Sequence, residues 1–315
     1  MNMQSINRLI FPMVAAGLSL GCGSTGFATD RDAAPVEQRQ TLVHNGITRT
    51  YVARTPRAMP SRNVRMPLVL VLHGGGGNAF NAERMTGFTE QAKTRGFIVA
   101  YPEGTGRFNG KLLTWNAGHC CGYAMKNRTK DVDFIGTLID KLIAEYPIDP
   151  RRVYVTGMSN GGMMAHRLGI ELAHKLAAIA PVVATVFGDE VRPRHPVSAI
   201  MINGMLDESV PYQGGPSGGR FADAWDGVPA RPALEQAGFW ANVNGCGKEP
   251  AKLDRGRYVL WRYRCPAGRA VEIYLVKDNG HAWPGGQKGS RRGDAPSSAL
   301  SATEVIWEFF ETHGK

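Results

Sequence analysis

The pentapeptide Gly157-Met158-Ser159-Asn160-Gly161 is the strongest chemical signal in the chain. It follows the apolar triplet Val153-Tyr154-Val155 and precedes a stretch of helical character, the setting that turns G-x-S-x-G into a nucleophile elbow. At so sharp a strand-to-helix turn the serine sits on strained backbone, and side chains two residues either side would collide. The turn lifts the hydroxyl out of the sheet and aims a helix N-terminus at it. A serine hydroxyl is a poor nucleophile until a base removes its proton. A histidine placed after the last core strand would supply that base. His281, in Asp278-Asn279-Gly280-His281-Ala282-Trp283-Pro284, follows the apolar run 271–276 and has this placement. His44, His73, His119, His166, His174, His195 and His313 lack it.

The imidazole in turn needs a carboxylate to fix its tautomer and stabilise its charged form. Asp207, in Gly204-Met205-Leu206-Asp207-Glu208, sits just beyond the apolar run 197–203. Glu208 beside it would point elsewhere, and Asp189 and Asp226 are less well placed. The resulting order Ser, Asp, His along the chain is the one expected of α/β-hydrolases.

Acyl transfer also builds negative charge on the carbonyl oxygen, which preorganised N–H groups must receive. His73-Gly74-Gly75-Gly76-Gly77 follows an early apolar run, and only backbone without Cβ atoms can approach a substrate oxygen so closely. The amides of Gly75 and Asn160 are the expected donors. A phosphate-binding loop is excluded, because no Gly-Lys-Ser/Thr follows the glycines. The patch Trp115-Asn116-Ala117-Gly118-His119-Cys120-Cys121-Gly122 does not read as a zinc site: adjacent cysteines are awkward tetrahedral ligands, and no second ligand pair stands at suitable spacing. No metal and no cofactor is called for.

These groups need a scaffold that carries them at strand ends. The hairpin signal at residues 41–52, with His44-Asn45-Gly46 as its turn, gives way to strands alternating with helices. Strands are expected at 67–73, 97–101, 152–156, 176–183, 197–203, 258–263 and 271–276. Helices are expected at 82–95, 131–146, 160–172, 233–243 and 302–312. Alternation of this kind implies an α/β class with a mostly parallel central sheet flanked by helices. The Gly/Pro-rich segments 204–231 and 285–298 would then lie at one rim of the sheet. No internal repeat is present, and residues 41–315 read as one catalytic domain.

With 315 residues, 43% apolar and 20% charged, the chain has the composition of a globular protein with a real core. Arg8 followed by the apolar run 9–20 reads as an export signal, too short to span a bilayer. Gly26-Phe27-Ala28 offers a cleavage site after Ala28, so residues 1–28 are expected to leave and residues 29–40 to form a flexible leader. Cys22, behind Leu18-Ser19-Leu20-Gly21, also suggests a lipoprotein box in which two residues are exchanged. A secreted or periplasmic location follows, with lipid anchoring at Cys22 as the second route and no membrane span. The formal charge of +10 becomes +9 once Arg8 is removed. Its Lys and Arg are scattered, which reads as a solvated basic surface rather than a nucleic-acid site.

Export permits disulfides. Cys22 aside, Cys120, Cys121, Cys246 and Cys265 allow three pairings, and sequence alone does not choose among them. Cys246 and Cys265 bracket a short hairpin-like stretch and are favoured as one pair, which leaves Cys120 and Cys121 to each other.

Taken together, the motifs resemble those of the secreted poly(3-hydroxybutyrate) depolymerase and feruloyl esterase group, including the LpqC-like esterases. The shared pieces are Leu72-His73-Gly74, Trp115-Asn116-Ala117-Gly118 with Cys120-Cys121, and Asp131-Val132-Asp133-Phe134. They continue through Ile148-Asp149-Pro150-Arg151-Arg152-Val153-Tyr154, the serine elbow, Asp207 before Val210-Pro211, and Gly280-His281-Ala282-Trp283-Pro284-Gly285. The resemblance implies an α/β-hydrolase domain, a Ser159-Asp207-His281 triad, metal-free hydrolysis of carboxylic esters, and Trp115 and Trp283 bordering the substrate cleft. One departure is Gly75, where many relatives carry a cysteine, so a disulfide through that position is not expected. No Thr/Ser-rich linker or polymer-adsorbing domain is recognisable, which favours soluble oligomers or smaller esters over solid polyester. The expected substrates are polyhydroxybutyrate-type oligomers or hydroxycinnamoyl esters. A noncatalytic envelope or carbohydrate-binding protein on the same scaffold is the alternative from another class.

Overall fold

The computed structural model describes residues 39–56, 64–108, 110–218 and 223–315. The expected export signal, Cys22 and the leader up to residue 38 lie outside the described residues. Residues Arg39–Lys315 form one compact unit.

The hairpin at the start forms as its turn residues dictate. Strand β1 (Gln40–His44) pairs antiparallel with β2 (Ile47–Arg54). Asn45 and Gly46 between them both hold positive φ, 50° and 74°, the backbone that a two-residue turn of this hand requires. Six parallel strands make the centre of the sheet. In spatial order they are β4 (Ile98–Pro102), β3 (Met66–Leu72), β5 (Ile148–Met158), β6 (Ala178–Val182), β7 (Ser198–Gly204) and β10 (Val271–Val276). Two antiparallel strands, β9 (Tyr258–Arg262) and β8 (Ala251–Asp254), extend the far edge. Among the described residues the sheet has ten strands in the order β1-β2-β4-β3-β5-β6-β7-β10-β9-β8. Strand β8 is short and largely exposed, so it leaves little hydrophobic imprint on the sequence.

The central strands read as continuous apolar runs because both of their faces are covered. Leu68, Leu70, Leu72, Val153 and Val155 face one way, toward α4 (Asp131–Glu145), α5 (Asn160–Glu171) and α6 (Ala233–Asn244). Val69, Val71, Val99 and Tyr154 face the other, toward α1 (Ala79–Thr86), α2 (Phe88–Arg95) and α7 (Ala302–Thr312). A one-turn helix, α3 (Gly122–Lys126), follows the Cys120-Cys121 pair.

Two expectations about elements need correction. The single helix expected at 82–95 is two helices, broken where Gly87 adopts φ 70° and its N–H closes onto Glu83 O. The first begins earlier than its apolar pattern suggests, because the Asn78 side chain accepts from Asn81 N–H and so caps it at Ala79. Strand β5 also begins four residues before the expected 152–156, through a register shift against β3 at Met66 and Leu68.

Cys246, just past α6, is paired with Cys265, just past β9, and Cys120 is paired with Cys121. Both pairings are the favoured ones.

Candidate active site

The parallel strands all end at one edge of the sheet, and the chemically suggestive residues collect there. Ser159 stands between β5 and α5 with φ 57° and ψ −125°, a conformation an L-residue adopts only under constraint. The flanking glycines provide the room. A Cβ on Gly161 would come within 2.5 Å of the carbonyl oxygens of Leu72 and His73, and one on Gly157 within 2.6 Å of Gly161 itself. Ser159 N–H donates to Val182 O at 2.9 Å, and Met163 N–H donates to Ser159 O at 2.8 Å, which fixes both sides of the turn.

His281 reaches this serine from the loop after β10. The Ser159 hydroxyl donates to His281 Nε2 at 2.8 Å, and His281 Nδ1–H donates to Asp207 Oδ2 at 2.8 Å. A carboxylate can only accept, so it assigns the proton to Nδ1 and leaves the Nε2 lone pair facing the serine. The second oxygen of Asp207 accepts from Ser209 N–H and Val210 N–H, both at 2.8 Å, so the carboxylate is fully engaged and its direction fixed.

The loops carrying the acid and the base are stitched to one another. Leu206 N–H donates to Asn279 O at 3.0 Å and Met205 N–H to Val276 O at 2.9 Å. The fully buried Asn279 side chain donates to Gly280 O and Ala282 O and accepts from Ser297 N–H. Beyond it, Asp294 Oδ2 accepts from His281 N–H at 2.7 Å.

On the other flank lies the glycine loop. Gly76 N–H is spent on Leu113 O and Gly77 N–H on Gly74 O. Among the described residues, the amides of Gly75 and Asn160 donate to no protein acceptor. The two residues approach closely, since a Cβ on Gly75 would lie 3.7 Å from the Asn160 Cβ.

Four residues hold this corner in place through side-chain contacts that the sequence did not reveal. The Asn160 side chain accepts from Trp115 N–H at 2.7 Å and donates to Trp115 O at 2.9 Å. The Trp115 indole donates to His73 O at 3.0 Å. His73 Nε2 accepts from Gly104 N–H at 3.0 Å, which makes Nδ1 the protonated nitrogen, donating to Gly74 O at 2.8 Å. Burial pushes the His73 pKa down to about 4, so it is neutral and structural. Asp131 is the fourth of these. It pairs with Arg49 at 2.8 Å with both side chains buried, and it also accepts from Asn116 N–H at 2.8 Å and from the Thr129 hydroxyl. Only its place in Asp131-Val132-Asp133-Phe134 marked it in advance.

Trp115 and Trp283 do not border a cleft. Trp115 is fully buried behind the glycine loop, and Trp283 is 1% exposed. The indole of Trp283 donates to Thr303 Oγ1 and its ring meets Phe88 edge-on, on the α7 side of the sheet. Trp225 and Phe187 reach toward the oxyanion corner through Cys120 instead. Trp225 forms a β-bridge with Cys120, whose Sγ lies 3.7 Å from Asn160 Nδ2, and Phe187 packs on Trp225 at 5.5 Å. Asp189 and Asp226, the less favoured acids, both contact His119 rather than His281. Among the described residues there is no cluster of His, Cys, Asp or Glu able to hold a metal.

Comparison with known proteins places this chain among esterases. The family described as Esterase PHB depolymerase matches residues 55–211. NocK of Nocardia uniformis subsp. tsuyamanensis, which is named as an esterase, is 31% identical over 283 residues, spanning 86% of this chain and 74% of NocK. Feruloyl esterase B of Piromyces equi is 30% identical over 230 residues, 71% of this chain but 41% of that protein. The poly(3-hydroxybutyrate) depolymerase of Ralstonia pickettii is 31% identical over 137 residues, 40% of this chain and 27% of that protein. Among solved structures, an acetyl xylan esterase from Aspergillus awamori matches 87% of this chain and 99% of its own, with TM-score 0.59 at 14% identity, a likeness of fold.

Proposed function

The chain belongs to the esterase PHB depolymerase family and is a carboxylic ester hydrolase, and from that premise we propose that Ser159, His281 and Asp207 are its catalytic triad. The observation that carries this reading is the unbroken chain of hydrogen bonds from Ser159 Oγ to His281 Nε2 and from His281 Nδ1 to Asp207, each 2.8 Å long.

In the reaction, Ser159 Oγ attacks the ester carbonyl carbon while its proton passes to His281 Nε2. Asp207 stabilises the imidazolium that forms and does not itself take the proton. The amides of Gly75 and Asn160 receive the oxyanion, supported by their having no protein acceptor to leave. The tetrahedral adduct collapses, the alcohol departs with the proton from His281, and the acyl group stays on Ser159. Water then gives a proton to His281 and attacks the acyl-enzyme, and the second collapse returns that proton to Ser159 and releases the acid. No metal or redox partner enters the balance.

We read the natural substrates as polyhydroxybutyrate-type oligomers or hydroxycinnamoyl esters. The reading rests on the relatives named above and on the resemblance of the motifs. Comparing kcat/KM on hydroxybutyrate oligomers and on methyl ferulate separates the two. Export is supported by the apolar run behind Arg8 and by the two cysteine pairs, and among the described residues no helix is long and apolar enough to cross a membrane. The mass of the mature N-terminus distinguishes cleavage after Ala28 from lipid attachment at Cys22.

The deciding experiment is hydrolysis of short p-nitrophenyl esters with and without a serine-directed organophosphonate. Turnover that is lost as label appears on Ser159 is the expected result. Folded protein that neither turns over the esters nor takes the label would refute the triad.

A further inference from the structure

His119 lies outside the triad, yet it sits between two carboxylates from distant parts of the chain. Its Nδ1 is 2.8 Å from Asp226 Oδ2, in the long segment between β7 and α6, and its Nε2 is 2.8 Å from Asp189 Oδ2, in the segment between β6 and β7. A neutral imidazole has a single N–H and could satisfy only one of these contacts, setting a lone pair against the other carboxylate. Two such contacts therefore specify the imidazolium. The hydrogen bonds to Asp189 and Asp226 also raise the His119 pKa above its ordinary value, the one to Asp189 contributing most.

The three segments joined by this ion carry the aromatic residues next to the oxyanion corner. The His119 ring meets Phe187 edge-on at 5.1 Å, and Phe187 meets Trp225 edge-on at 5.5 Å. Trp225 bridges Cys120, and Asp226 N–H donates to His119 O at 3.2 Å. Among the described residues, Asp189 and Asp226 are the charged groups that act on the imidazolium. Glu190 turns back onto Phe187 N–H and Gly188 N–H, while Arg231 packs against Gly188 and pairs with Glu235.

We propose that His119 is a positioning residue for the esterase reaction: bridging Asp189 and Asp226 as an imidazolium, it holds Phe187 and Trp225 beside the oxyanion corner as a wall for the bulky apolar part of the substrate. The role rests on the triad reading above, because the wall matters only if the ester carbonyl sits at that corner. The sign of the pH dependence follows. The clamp is complete below the ordinary histidine range, near pH 6.5, and is lost as pH rises through the raised value of His119 in the folded protein.

The test is a selectivity ratio: kcat/KM for a p-nitrophenyl ester with a phenylpropanoyl acyl group, divided by kcat/KM for p-nitrophenyl acetate, measured from pH 6 to pH 9. Both esters share His281, so its titration cancels in the ratio. The wild-type ratio is expected to fall by about three- to tenfold across this range, the modest size that partly exposed ion pairs allow. In His119→Gln, which can never carry the charge, the ratio is expected to be low and flat with pH. Asp226→Asn removes one side of the bridge and should lower the ratio part of the way, which keeps the test available if the histidine variant folds poorly. A ratio independent of pH in the wild type, or one with the same pH dependence in His119→Gln, overturns the proposal. Absence of turnover on both esters would instead remove the triad reading. The His119 imidazole titration followed by NMR reports the charge whichever way activity turns out, and a titration midpoint at or below the ordinary value sinks the clamp.

Discussion

The side-chain amide of Asn160 exchanges two hydrogen bonds with the backbone of Trp115, accepting at 2.7 Å and donating at 2.9 Å, as a neighbouring strand would. The residue whose own N–H is a proposed oxyanion donor is thereby locked to the loop that backs the glycines. Asn160→Ala leaves the buried N–H of Trp115 unpaired, while its C=O keeps the Cys121 N–H, and should cost about 1–3 kcal/mol of stability. Because the donor itself remains, kcat should fall by about tenfold, less than the roughly 10²–10³ that follows outright loss of a donor. Thermal melts and steady-state kinetics on p-nitrophenyl butyrate check both figures, and an unchanged kcat would detach Asn160 from the oxyanion site.

Removing the nucleophile gives the largest effect on rate. Ser159→Ala should lower kcat by about 10⁴-fold or more while leaving the melting temperature within a few degrees of the wild type. Asp207→Asn should fall by a comparable factor, because an amide in place of the carboxylate no longer forces the proton onto His281 Nδ1.

The buried pair of Arg49 and Asp131 is a stability element that also reaches the site through Asn116. Asp131→Ala strands the Arg49 guanidinium in the core, where it packs 4.0 Å from the centre of the Phe134 ring. The expected cost is about 3–5 kcal/mol, read from urea or thermal unfolding. A loss below about 1 kcal/mol would mean that Arg49 finds water.

The cysteine pair of Cys246 and Cys265 closes a loop of 19 residues' separation and contributes through the unfolded chain. Replacing both by serine should lower stability by roughly 3 kcal/mol. The triad lies at the other end of β10, so kcat at low temperature should be little changed.

Two buried histidines set the acid response. Burial lowers His73 to about 4 and His166 to about 3, whereas the unfolded chain binds a proton at each near pH 6.5. The unfolded state therefore holds more protons between those values, and stability falls as pH drops from about 6.5 toward 4, by up to about 1.4 kcal/mol per pH unit for each histidine. His166 Nδ1 accepts from the Trp240 indole at 2.9 Å, a bond that a glutamine oxygen can take over. His166→Gln should make the decline of melting temperature with acid visibly shallower. An unaltered slope would contradict the reading.

The sequence by itself determined the order Ser159, Asp207, His281, the elbow and the run of buried parallel strands. These are written in local chemistry: the two-residue and 3.6-residue periods of strands and helices, and glycines where any Cβ would strike backbone. Gly157 and Gly161 are of this kind, since the atoms they would strike belong to the same turn and to the neighbouring strand β3. Tertiary structure alone decided which side of the sheet each aromatic residue entered. Trp115 and Trp283 were expected at a cleft and are instead core, because each indole N–H found a buried acceptor, His73 O for one and Thr303 Oγ1 for the other. The same holds for His73 as a neutral brace, for the grip of Asn160 on Trp115, and for His119 between Asp189 and Asp226. Their partners stand 31 to 107 residues away along the chain, beyond the reach of any local pattern. Only the folding of the sheet brings them within 3 Å, and that proximity fixes which groups carry charge, which stay neutral and which can reach an ester.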